Sequence, residues 1–175
     1  NPATICSGAS VAAVTPTSNI AGTTYTWTLG AITGGVTGAA AQATAQAQFS
    51  TGNLTNAGAV DGTVTYNITA TNAATCNTVD FSITVTVHPV ISIIPVADVE
   101  VCHNETVSAI TFTSTLATSY TWTNSNTSIG LAASGTGNIA SFTATNIGTT
   151  PVTATIVITP LINGCPGNTE TFTII

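Results

Sequence analysis

The 175-residue sequence has no lysine, no arginine and no methionine, and its six acidic residues and two histidines give a formal net charge of -6 with a pI near 4.1. Gripping a phosphate backbone takes clustered cations, so nucleic-acid partners are excluded. Only 3% of residues are charged while 43% are hydrophobic, so solubility rests on neutral hydroxyl and amide groups, chiefly Thr, Ser and Asn. No run approaches the roughly 18 consecutive apolar residues of a membrane span. No charged-then-apolar N-terminal segment with a small-residue cleavage site is present either. A soluble piece is expected, with any targeting signal outside it.

The threonines that take the place of charge sit in runs such as Thr63-Val-Thr-Tyr-Asn-Ile-Thr69. β-Branched residues suit a pleated, half-exposed surface better than a helix, so the chain reads as all-β. The period is two. Tyr25, Trp27 and Leu29 share one face against Thr24, Thr26 and Thr28, and Val64, Tyr66 and Ile68 alternate with Thr63, Thr65 and Asn67. Phe81, Ile83, Val85 and Val87 face inward against Ser82, Thr84 and Thr86. The Ala/Gln run at 39–48 is expected to be a strand with Ala43, Ala45, Ala47 and Phe49 on one face.

One unit occurs twice. Cys6 aligns with Cys102 at an offset of 96, Tyr25-Thr-Trp-Thr28 with Tyr120-Thr-Trp-Thr123 at 95, and Phe49 with Phe142 at 93. Tyr66-Asn-Ile-Thr69 aligns with Ile156-Val-Ile-Thr159 at 90, Cys76 with Cys165 at 89, and Phe81 with Phe172 at 91. The shrinking offset is what loop deletions between strands produce. The repeats are placed at residues 1–89 and 90–175, each expected to be a Greek-key, immunoglobulin-like β-sandwich. Pro89 and Pro95 bracket Val90 to Ile94, which either opens the second repeat's first strand or forms a stiff extended linker.

Four cysteines without a CxxC pair or zinc-like spacing read as disulfides of an oxidising, extracytoplasmic compartment, with buried free thiols as the alternative. Their match across the repeats predicts Cys6–Cys76 and Cys102–Cys165, each closing a loop worth roughly 4 kcal/mol. In standard topology the first turn and last hairpin lie at opposite ends of the sandwich, which conflicts with pairing inside one repeat.

Catalysis is not expected. A nucleophile needs a positioned base and an orienting third group, yet His88 at the junction and His103 beside Cys102 are not repeated and read as surface residues. Glycoside hydrolysis needs two facing carboxylates, and Asp61 and Asp80 have no matching acids in the second copy. Asp98 and Glu100, with Glu105 nearby, form the one acidic cluster. Calcium is the ligand such oxygens would take, and a solvated edge strand is the alternative. No other cofactor is expected. Trp27 and Trp122 could stack on sugars, but with Tyr25 and Tyr120 they hold the same inward places in both copies and read as core. Asn53, Asn67, Asn104 and Asn126 occupy Asn-x-Ser/Thr sequons.

The pattern Ile5-Cys-Ser-Gly8, Gly22-Thr-Thr-Tyr-Thr-Trp-Thr28, Gly62-Thr-Val-Thr-Tyr66, a Cys after an Asn-rich turn, and Ile83-Thr-Val-Thr-Val87 then Pro89 spans the first copy. Val101-Cys102, Ser119-Tyr-Thr-Trp-Thr123, Asn163-Gly-Cys165 and Thr171-Phe-Thr-Ile174 answer it in the second. This resembles the PKD-like, immunoglobulin-like tandem repeats of secreted surface proteins of Bacteroidota, including gliding-motility-associated adhesins. The resemblance implies a non-catalytic structural module of an extracellular adhesin stalk or filament at the cell surface, exported by a type IX system whose sorting domain lies outside this piece. Its partners would be neighbouring repeats or identical subunits. The alternative is a module that binds carbohydrate or protein.

Overall fold

The computed structural model describes residues 3–13, 16, 21–72 and 77–175. The alternation of hydroxyl with β-branched and aromatic residues produces strands throughout, and the described residues contain one 3-10 turn, Thr127–Ile129. Two compact units, Asn1–Val90 and Ile91–Ile175, divide the chain. Each is an immunoglobulin-like all-β fold with its own core.

The first unit contains β1 (Ala3–Cys6), β2 (Thr23–Ile32), β3 (Val36–Thr37), β4 (Gln42–Gln46), β5 (Thr55–Asn56), β6 (Gly62–Asn72) and β7 (Asn77–His88). One sheet runs β1-β7-β6-β2-β4, and a two-stranded sheet pairs β3 with β5. β1 lies parallel to β7, with Ala3 against Val85 and Cys6 against His88. Between the layers, Tyr25, Trp27, Val64, Tyr66, Ile68, Val85 and Val87 are buried, as period two requires. Phe49 joins them, its ring edge-on to Trp27 at 5.1 Å and to Tyr66 at 5.3 Å. Such pairs add about 0.5–1.5 kcal/mol beyond area burial.

The strand expected over 39–48 is present as β4, but the alanine face is not inward. Ala43, Ala45 and Ala47 are exposed, Gln42 and Gln46 are half-buried, and only Phe49 of that set is enclosed. The register against β2 shifts between Tyr25 and Trp27, which pair with Gln46 and Gln42. Such a bulge re-aims side chains at a sheet edge.

The second unit contains β8 (Thr106–Val107), β9 (Ser119–Asn124), β10 (Ser134–Thr136), β11 (Phe142–Thr143), β12 (Ala154–Ile162), β13 (Cys165–Pro166) and β14 (Glu170–Ile174). Its main sheet runs β10-β9-β12-β13, with β14 also on β12, and β8 pairs with β11. Val99 bridges in parallel to Ile174, the counterpart of Ala3 on Val85. Ile162 faces Cys165 across Asn163 and Gly164, whose φ values of 49° and 87° are those a two-residue hairpin turn demands.

Strand register fixes the correspondence between units. Trp27 faces Ile68 as Trp122 faces Ile158, while Ile68 faces Phe81 as Ile158 faces Glu170. Phe172 therefore occupies the place of Ile83, not Phe81, and the offset of 91 is corrected to 89. Phe81 and Phe172 match by residue type as the aromatics of the two last strands, whereas the ladder counts residues from the turn. The apolar segment after Pro89 forms no strand: Ile91 and Ile93 are buried, Val90 and Ile94 are exposed, and Asn168 N donates to the Ile91 carbonyl at 2.7 Å.

Candidate functional site

The four cysteines were the strongest sequence-level candidates. Cys6 and Cys165 are disulfide-bonded, whereas Cys102 carries an exposed free thiol; Cys76 lies outside the described residues. The expected Cys102–Cys165 bridge is therefore corrected, and the reason is geometric. Cys102 follows Val101, whose N–H donates to the Ile175 carbonyl at 3.0 Å, beyond the end where Ala154 of β12 faces Ile174. Cys165 faces Ile162 at the opposite end of β12. Eight strand steps separate those ends, about 26 Å, while a disulfide tolerates a Cα separation of about 7 Å at most. The other expected bridge, Cys6–Cys76, involves Cys76 and so lies outside the described residues.

Each of Cys6 and Cys102 sits in the same small turn. Ala9 N donates to the Cys6 carbonyl at 3.0 Å and Gly8 N to Leu54 O at 2.8 Å; Glu105 N donates to the Cys102 carbonyl at 3.1 Å and Asn104 N to Ala144 O at 2.9 Å. Gly8 and Asn104 both adopt the left-handed region, at φ 86° and 67°. Beside each turn an asparagine builds a second one. Asn56 Oδ1 accepts from Gly58 N at 2.8 Å while its Nδ2 donates to Val60 O at 2.8 Å; Asn146 does the same with Gly148 N and Thr150 O, both at 2.9 Å.

His88 is not a surface residue. It is 3% exposed, with Nδ1 2.7 Å from Asp61 Oδ1. The sequence hid this pair because strand alternation aims His88 opposite to Val87 and because Asp61 lies far back along the chain. His103 is exposed, its Nδ1 accepting from Asn146 N at 3.1 Å. Asp80 accepts from Thr69 Oγ1 at 2.7 Å.

Two of the three acidic side chains of the cluster accept from backbone N–H groups. Asp98 Oδ1 accepts from Thr173 N at 2.6 Å, which holds its carboxyl below the usual range, and Glu105 Oε2 accepts from Cys102 N at 3.2 Å. Among the described residues no three His, Cys, Asp or Glu side chains gather as a metal would need, so Asp98, Glu100 and Glu105 are not brought together as a calcium set. An open hollow lies beside Cys102, lined by Glu100, Glu105, Ile129, Pro151 and Ile175 among others.

Both tryptophans are 7% exposed and belong to the cores. Trp27 Nε1 donates to Ala40 O at 3.2 Å; Trp122 Nε1 is buried with no partner among the described residues. Tyr25 is buried and its hydroxyl donates to Pro16 O at 3.0 Å. Tyr120 is half-buried, edge-on to Phe112 at 5.7 Å. No helix of the described residues is long and apolar enough to cross a membrane.

A family model described as a PKD-like domain matches residues 3–90, essentially the first unit. No curated protein matches the chain.

Proposed function

The chain belongs to the family of PKD-like domains, and from that premise we propose that its two units are structural spacer repeats of an extracellular surface stalk or filament, without catalysis. A PKD-like domain together with disulfide-bonded cysteines is compatible with an oxidising, extracellular setting.

One observation carries the spacer reading: the units share their framework and none of their comparable acidic or histidine side chains. In register, Asp61 corresponds to Pro151, Asp80 to Thr169, Glu100 to Thr4, Glu105 to Ala9, His103 to Ser7 and Glu170 to Phe81. By contrast, the paired cores, the cysteine turns and the Asn56 and Asn146 turns recur. A repeated binding or catalytic module should duplicate its working polar groups, whereas a spacer need duplicate only what folds it. Its partners are then neighbouring repeats or identical subunits, on a cell surface. Export by a type IX system and an origin in Bacteroidota follow from the sequence resemblance.

Deleting one repeat from the intact surface protein tests this. Shorter surface projections with adhesion otherwise retained are expected; loss of binding to a glycan or protein at unchanged projection length would favour the binding-module alternative.

A further inference from the structure

The main sheet of the first unit has two edges, β1 and β4. An edge strand presents unpaired N–H and C=O groups, and proteins guard such edges with Lys, other charges or Pro. β4 has none of these, since residues 39–48 are Ala and Gln apart from Thr44. A pair of side-chain amides closes it instead. Where the register against β2 shifts, residues 43–45 stand against the single residue Thr26. There Thr44 N donates to Gln42 Oε1 and Gln46 Nε2 donates to Thr44 O, both at 3.2 Å. Both bonds are exposed, so each contributes little net stability and an incoming strand displaces them at small cost.

The sequence around Thr44 reads the same in both directions, Ala41-Gln-Ala-Thr-Ala-Gln-Ala47. An antiparallel strand related by a two-fold axis through Thr44 therefore meets like with like. Thr44 falls opposite the second copy's Thr44, Gln42 opposite its Gln46 and Ala43 opposite its Ala45. We propose that β4 is a self-pairing edge through which two copies of this chain join side by side in one continuous sheet. Thr44 exchanges its two glutamine caps for the carbonyl and N–H of the second Thr44, as a hydrogen-bonded antiparallel pair does. The released glutamine amides then bond across the seam. Opposed threonines stabilise such a pairing, and no like charges face each other in it. The same surface serves on both copies, so the interface closes at two. The proposal rests on the reading of identical subunits as partners and names the surface they use.

Sedimentation velocity of the intact chain tests this, on a Cys102→Ser background so that the free thiol cannot join copies. With rising concentration the protein is expected to shift from monomer to dimer. Thr44 is exposed, so Thr44→Lys and Thr44→Glu leave the fold intact, which circular dichroism checks. Each variant alone places like charges directly opposite on the two-fold axis and should stay monomeric. Mixed in equal amounts, the two should recover the dimer, because the opposed charges are then of opposite sign. A parent that stays monomeric when concentrated, single variants that dimerise as the parent does, or a mixture that stays monomeric would each overturn the proposal. Side-by-side pairing is independent of projection length, so failure here is separable from failure of the spacer reading.

Discussion

Gly135 lies directly opposite Trp122 in the antiparallel pairing of β10 with β9, and the indole occupies the space that a side chain at 135 would need. A Cβ there would overlap the ring itself. Gly135→Ala should therefore displace Trp122 and destabilise the second unit by about 1–3 kcal/mol. Denaturant unfolding followed by tryptophan emission checks this. Gly52→Ala, where a Cβ would make ordinary contact, is expected to be nearly neutral.

Trp27→Ala removes the ring on which Phe49 stacks edge-on, itself in contact with Tyr66. A loss of about 3–5 kcal/mol from the first unit is expected. A variant that unfolds like the parent and loses only sugar binding would instead make Trp27 a ligand platform.

Asn56 is 3% exposed, and its amide also donates to Val87 O at 2.8 Å. Asn56→Ala leaves buried backbone groups unpaired and should cost about 2–3 kcal/mol. Asn146, which is only half-buried, should cost about 1 kcal/mol when changed to Ala. Thermal unfolding of the two variants gives the comparison, and equal losses would contradict it.

Tyr66 is enclosed, and burial pushes its hydroxyl above the ordinary value of 10.0. The unfolded chain then releases this proton first. Stability is intact below pH 10 and falls as pH rises past it. Tyr66→Phe should flatten the alkaline loss seen in denaturant titrations. It also removes a buried hydroxyl with no partner among the described residues, so no loss at neutral pH is expected.

What the sequence disclosed follows from which forces act locally. Period-two alternation placed Tyr25, Trp27, Val64, Tyr66, Ile68, Val85 and Val87 inward because burial is decided residue by residue along a strand. The alanines of β4 escaped the same rule because a methyl gains too little from burial to resist a bulge in the neighbouring register. Residue-type matching also put Phe172 on Phe81, and the ladder moves it to Ile83. The His88–Asp61 pair and the state of Cys102 depend on which strand ends meet, and no local pattern encodes that. The conflict between a Cys102–Cys165 bridge and sandwich topology was itself visible in the sequence, and the free Cys102 thiol resolves it in favour of topology.

The central claim is that these units supply length. Small-angle scattering of native segments containing two, four and six repeats tests it most directly. The maximum dimension is predicted to rise in proportion to repeat number, with the cross-section unchanged. A dimension that grows only as the cube root of mass, as for repeats packed into one compact body, would contradict the account.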